Sequence, residues 1–109
     1  MTISRTTTDG VAVLSLDGDA LGGPDGSALH DALHQARGEG PLNAVVDLSG
    51  VRHMNSSGLG MLIGALTTAR NAGGDLRLAA VGDRIRTLLE VTRLDGVFQS
   101  FETVADAVA

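Results

Sequence analysis

The residues most able to do chemistry form one short run of polar and small side chains, Asn55-Ser56-Ser57-Gly58-Leu59-Gly60. Asn and Ser are helix-capping types, because their side-chain oxygens accept the N–H bonds that a first helical turn leaves unpaired. A serine hydroxyl in that position stands near the positive end of the helix dipole. A phosphate carried on it would meet backbone donors and a favourable field together. By spacing alone, an ordinary capping serine is the commoner use of such a residue.

Three other constellations need weighing. His30-Asp31-Ala32-Leu33-His34 sets two imidazoles one helical turn apart, close to the spacing of a zinc protease. Asp stands where Glu would act as base, and His53 alone is left as a third histidine ligand, so exposed helix histidines are the better reading. Gly58-x-Gly60-x-x-x-Gly64 has the outline of a dinucleotide-binding turn, but the preceding loop, 49 to 55, is too long for the tight turn that motif needs. The following strand also ends Ala79-Ala80-Val81, without an acid to hold a ribose. A hydrolase elbow at Ser56 fails because Met54 occupies the place of a glycine and no base can be assigned.

The elements that position this run follow from hydrophobic periodicity. Thr2 to Thr8 and Val11 to Leu16 read as strands joined by Asp9-Gly10, a hairpin pair that tolerates positive φ. A Gly- and Pro-containing loop spans 18 to 26, and Ser27 is expected to cap a first helix with a stripe of Leu29, Ala32, Leu33 and Ala36. Gly38-Glu39-Gly40-Pro41 ends it. A strand at 43 to 48 leads through the loop to a second helix, about Ser56 to Asn71. Its apolar face is read from Leu59, Leu62, Ile63 and Leu66 at i, i+3, i+4 and i+7. Leu76 to Val81 is a strand, Gly82-Asp83 opens a third helix with Ile85, Leu88, Leu89 and Thr92 inward, a short strand falls around Val97 and Phe98, and Thr103 caps a final turn or two.

Strands alternating with helices after a hairpin predict a single α/β domain over residues 1–109, a mixed sheet of about five strands with about four helices. Along the second helix, Ser56, Gly60, Gly64 and Thr68 recur four apart and stack on one stripe. Two glycines inside a helix each cost about 0.5–1 kcal/mol relative to Ala. The stripe serves either close packing within the domain or a flat surface for a partner; its place off the expected core face favours the partner. Met61 and Ala65, flanking it, would add adaptable apolar contact.

The stretch VVDLSGVRHMNSSGLGMLIGAL resembles the signature of STAS domains, in particular the small anti-sigma-factor antagonists. That family pattern is a strand ending Asp-Leu-Ser, a loop, then Asp-Ser-Ser-Gly-Leu-Gly opening a helix. Asp47-Leu48-Ser49 and Ser56-Ser57-Gly58-Leu59-Gly60 match it, and the likeness continues through GDRIRTLLEVTRLDGVF, 82 to 98. The resemblance implies a sheet with its helices chiefly on one side, and a phosphoacceptor at Ser56, with Ser57 ranked second. Asn55 replaces the family's aspartate. Asp19 matches an acid that the family often has after its second strand, while Leu21 stands where a further acid is usual. The resemblance further implies a partner that is both anti-sigma factor and serine kinase; taken with the stripe on the second helix, the expected docking residues are Asp19, Asn55, Ser56, Ser57, Gly60, Met61 and Gly64. A non-phosphorylated scaffold subunit of a transporter or signalling assembly is the alternative, motivated by Asn55 and Leu21. A small-ligand or nucleotide binder at the helix start is a third.

Composition narrows the classes. At 109 residues, with two Phe and neither Tyr nor Trp, the core must be aliphatic. A net charge of −5 argues against a nucleic-acid surface, and the arginines at 84, 86 and 93 alternate with acids around a helix. The chain lacks cysteine, and it has neither an apolar run near the ~20 residues of a membrane span nor a signal-peptide core at its start. The expectation is a cytoplasmic binding protein, not an enzyme, with no cofactor, no metal and no membrane contact.

Overall fold

A computed structural model of the chain describes residues 1–20, 24–38 and 40–109. The loop positions 21 to 23, including the Leu21 of the family comparison, and Glu39 in the stop of the first helix lie outside the described residues. Two β-branched runs form strands β1 (Thr2–Thr8) and β2 (Val11–Asp17), joined by the expected turn, with φ +52° at Asp9 and +80° at Gly10. Positive φ at both positions is the geometry whose twist matches the flanking strands. There follow helix α1 (Pro24–Ala36), strand β3 (Asn43–Gly50), helix α2 (Ser56–Asn71), strand β4 (Asp75–Ala79), helix α3 (Asp83–Val91), strand β5 (Gln99–Phe101) and helix α4 (Val104–Val108).

The five strands make one mixed sheet in the order β1-β2-β3-β4-β5, antiparallel at β1–β2 and parallel throughout the rest. Alternation decides which side each residue faces. Ala12, Leu14 and Leu16, Ala44, Val46 and Leu48, and Leu76 and Leu78 point to the side that α1, α2 and α3 cover, and they form the main core with Leu29, Leu33, Leu62 and Ile85. The opposite side is covered by α4, where Val13, Val45 and Ala79 pack on Ala107. Arg77 ties α4 down by donating to the Ala107 and Ala109 carbonyls at 2.9 and 3.2 Å while its guanidinium lies 5.4 Å from the Phe101 ring centre. The helices therefore lie mainly on one face, and the core is aliphatic but for Phe98.

Four sequence readings need correction. Helix α1 begins at Pro24, not after a Ser27 cap; proline suits a first turn, where its missing N–H has no intrahelical partner anyway. Strand β4 stops at Ala79, because Ala80 turns to φ +56° and leaves the extended region. The last strand is Gln99–Phe101, past the expected Val97 and Phe98; Phe98 is instead buried in the main core. Most consequential, the buried arc of α2 is turned away from its predicted centre. Ile63 is 37% exposed, whereas Met61, expected on the partner side, is only 8% exposed and Ala65 is buried with it. At about 100° per residue, Gly58, Leu59, Met61, Leu62, Ala65, Leu66 and Ala69 fill a continuous arc displaced roughly 70° from the predicted face. The reason is that α2 packs on α1 as well as on the sheet: Met61 lies beside Gly26 of α1.

The displaced arc makes a direct prediction. Met61→Ala should lower stability by about 2–3 kcal/mol through lost burial and an unfilled cavity, while Ile63→Ala should stay within about 1 kcal/mol of the parent. Urea unfolding of the two variants distinguishes this orientation from the one periodicity suggests, in which their order is reversed.

Candidate functional site

The site is built where the loop after β2 meets the first turn of α2. Ala20 and Met54 form an isolated parallel bridge: the Ala20 amide donates to the His53 carbonyl at 2.9 Å, and the Asn55 amide donates to the Ala20 carbonyl at 3.4 Å. The approach is so close that a Cβ at position 58 would run into the Ala20 carbonyl oxygen. Glycine at 58 is thus a steric requirement, and it sets α2 against the segment carrying Asp19. Asp19 is exposed, one residue before the bridge.

Asn55 is the N-cap. Its backbone is extended, at φ −103° and ψ −176°, and its Oδ1 accepts from the Gly58 amide at 2.8 Å. Its carbonyl accepts the Leu59 amide at 2.9 Å. Because Asn55 takes the capping role, Ser56 is not the cap, and the reading of it as an ordinary capping serine is corrected. Ser56 is the first residue of the helix, exposed, and its hydroxyl has no hydrogen-bond partner among the described residues. Neither do the Ser56 and Ser57 amides, which keep the first-turn donors directed to solvent. A capped helix start with an unengaged hydroxyl and two open amides can accommodate a phosphate without sacrificing an existing bond.

The outward arc of α2 carries Ser56, Ser57, Gly60, Ile63, Gly64 and Thr67, all exposed. At Gly60 and Gly64 a Cβ would meet nothing within 4 Å among the described residues, so close packing against them does not account for either glycine. The structure brings Asn55, Ser56, Ser57, Gly60 and Gly64 to one surface, with Asp19 on the adjoining segment, and removes Met61 from it. Ile63, expected in the core, is instead an exposed apolar side chain on this surface. The signal for this was present in the small apolar residues Ala65 and Ala69, which widen the buried arc toward Met61.

The histidines are separated. His30 and His34 stack edge to face on α1 with ring centres 4.3 Å apart, and both are exposed. His53 lies on the loop before α2, where its Nδ1 is 2.9 Å from Arg84 Nη1 of α3, a contact periodicity could not reveal. No three His, Cys, Asp or Glu side chains among the described residues converge in a way that could hold a metal ion. Nor is any described helix long and apolar enough to cross a membrane.

Comparison with known proteins places these features. The model of the STAS domain matches residues 2–107. The chain is 30% identical over 110 residues to the anti-sigma-F factor antagonist RsfB of Mycobacterium tuberculosis, covering 99% of this chain and 87% of the relative. Among solved structures, an anti-sigma factor antagonist from Mycobacterium paratuberculosis superposes with a TM-score of 0.79 at 27% identity, over 98% of this chain and 90% of that one. The Bacillus cell fate determinant SpoIIAA in its phosphorylated form shares the fold, with a TM-score of 0.68 at 17% identity over 98% of this chain and 96% of that one.

The division of labour at the helix start predicts unequal effects. Asn55→Ala should destabilise the fold by about 1 kcal/mol, within the range for lost N-caps, and Ser56→Ala should stay within about 0.5 kcal/mol of the parent. Gly58→Ala should cost more than either, since backbone must move. Thermal or urea unfolding of the three variants checks that order.

Proposed function

The chain belongs to the STAS domain family, and from that premise we propose that it is an anti-sigma-factor antagonist switched by phosphorylation of Ser56. Unmodified, it docks through the Ser56 end of α2 on a protein that is both anti-sigma factor and serine kinase, and so releases the sigma factor. The observation that carries this reading is the unengaged, exposed Ser56 hydroxyl at the start of a helix whose capping is already supplied by Asn55. The RsfB relative, whose name assigns it to an anti-sigma-F factor, supports the partner class.

The switch is local. A phosphate adds about −1.5 to −2 charge units and three acceptor oxygens at pH 7. The helix end tolerates that charge, so the fold persists, but a surface meant to lie flat against a partner gains bulk and a group that must be desolvated on docking. An effect of about 3 kcal/mol is roughly a hundredfold in affinity. The rest of the face suits close approach: Gly60 and Gly64 leave the helix backbone bare, and Ile63 offers one aliphatic side chain beside them.

The test pairs the protein with ATP and the anti-sigma factor encoded nearest to it in its own genome, read by intact mass. One phosphate should be gained by the parent and by Ser57→Ala, and none by Ser56→Ala with its fold retained. Phosphate appearing on Ser57 instead would relocate the acceptor, and none anywhere would favour a scaffold that is not phosphorylated. The docking face has its own test. Gly60→Gln should raise fold stability by about 0.5–1 kcal/mol, since a helix-forming side chain replaces glycine in open space, while weakening the partner's binding about tenfold or more. A gain in stability together with unchanged affinity would remove Gly60 from the interface.

A further inference from the structure

The chain carries eight arginines and no lysine. Where the structure uses an arginine internally, its bonds are plain: Arg70 pairs with Asp75 at 3.3 Å, and Arg77 donates to the carbonyls that end α4. Arg52 and Arg84 are different. Both line a cavity of about 390 Å³ bounded by Val51, Arg52 and His53 of the loop before α2 and by the residues 82 to 85 that open α3. Among the described residues neither has a carboxylate within ion-pair distance, although Asp83 lines the same cavity. Arg84 makes its recorded hydrogen bond to His53 Nδ1, at 2.9 Å. That contact requires the ring nitrogen to accept, so a guanidinium is satisfied there by a neutral imidazole.

A guanidinium presents five donors in a planar fork that matches a carboxylate, and a single neutral acceptor leaves most of them to solvent. Two such groups around one recess, on a chain of net charge −5, form a local patch of opposite sign to the whole. The patch also has a position: Arg52 and His53 lie four and three residues before Ser56, on the loop that runs directly into α2.

We infer that this recess is a second contact of the docking face, receiving an aspartate or glutamate side chain of the same protein that lies against α2. The inference rests on the docking reading above and deepens it, by giving the partner an acidic residue placed beyond the Ser56 end of the helix. The incoming carboxylate engages the Arg84 fork and the Arg52 guanidinium, and Arg84 retains or relinquishes its bond to His53 as it does so. No covalent step is involved. The charge complementarity and the continuity with the α2 face select a protein side chain over nucleic acid, whose phosphate track would meet the chain's overall negative charge.

The first experiment needs no partner. Isotope-labelled protein is titrated with the blocked peptide acetyl-Gly-Glu-Gly-Glu-Gly-amide, its Gln counterpart, and inorganic phosphate, while the His53 Cε1–Hε1 and Arg84 Nε–Hε signals are followed by NMR. The Glu peptide should shift both signals saturably at millimolar concentration, the Gln peptide should not, and Arg84→Gln should abolish the His53 response. Equal movement at Arg5 and Arg37, no movement at all, or a stronger response to phosphate than to the Glu peptide overturns the assignment. The second experiment measures affinity for the anti-sigma factor. Arg84→Gln should weaken it about tenfold or more and flatten its salt dependence, while Arg37→Gln, at an exposed arginine outside the recess, should change it less than threefold. If the parent binds and a Ser56→Asp variant does not, yet Arg84→Gln binds like the parent, the docking reading stands and the carboxylate recess falls.

Discussion

One backbone contact governs the site: the Ala20 carbonyl presses on the first turn of α2 where only a glycine, Gly58, leaves room. The same carbonyl accepts the Asn55 amide, and the Ala20 amide is held by His53. Residues from two crossover loops are thereby locked together at the carboxyl ends of the parallel strands β2 and β3, where an open α/β sheet has its natural crevice. With that contact in place, Asn55 has a fixed backbone from which its side chain reaches the Gly58 amide. Ser56 then makes no side-chain hydrogen bond among the described residues, and it is exposed.

The helix that follows solves a second problem. It must cover the sheet and meet α1, so its buried arc extends from Leu59 round to Met61. The chain fills much of the complementary arc with glycine, serine and threonine where bulkier helix formers would raise stability. Each glycine at 60 and 64 forgoes about 0.5–1 kcal/mol. Among the described residues neither position has a neighbour to explain that sacrifice. The proposed docking surface would explain it, because backbone bare of side chains permits close approach, with Ile63 as the aliphatic residue such a surface would otherwise lack.

Most of the architecture was legible in the sequence because it is written in strong local signals. Asp9-Gly10 between two β-branched runs specified the hairpin, the apolar run at 43 to 48 specified the central strand, and Thr103 specified the last helix, whose cap accepts from the Asp106 amide at 3.1 Å. What escaped was tertiary. The three residues Gln99–Phe101 are too few to show a period, so the adjacent, bulkier Phe98 attracted the assignment although it packs before the strand begins. The orientation of α2 is hidden because four large apolar residues outweigh the small ones in the periodicity, although Ala65 and Ala69 are buried as fully as the leucines. The serine was identified through its family motif; that Asn55 rather than Ser56 caps the helix became visible only in the hydrogen bonds. The pairing of His53 with Arg84, thirty-one residues apart, carries no sequence signal at all.

The asparagine at 55 has an electrostatic meaning beyond its cap. The family motif has aspartate there, a residue of the same shape whose oxygen would accept the same amide. An ionised carboxylate would also set a negative charge roughly 6 Å from a phosphate on the next residue. With an effective dielectric between about 80 and 20, that repulsion amounts to roughly 0.7–3 kcal/mol for each unit of phosphate charge. Asn55 keeps the hydrogen bond and removes the repulsion. The helix dipole and the two open amides then act on the phosphate without an opposing charge from the cap. Under the proposed switch, a phosphate on Ser56 would therefore be held by its own helix more favourably than an aspartate-capped version would allow, and the barrier to docking would rest on desolvating the phosphate rather than on crowding it with a neighbouring anion.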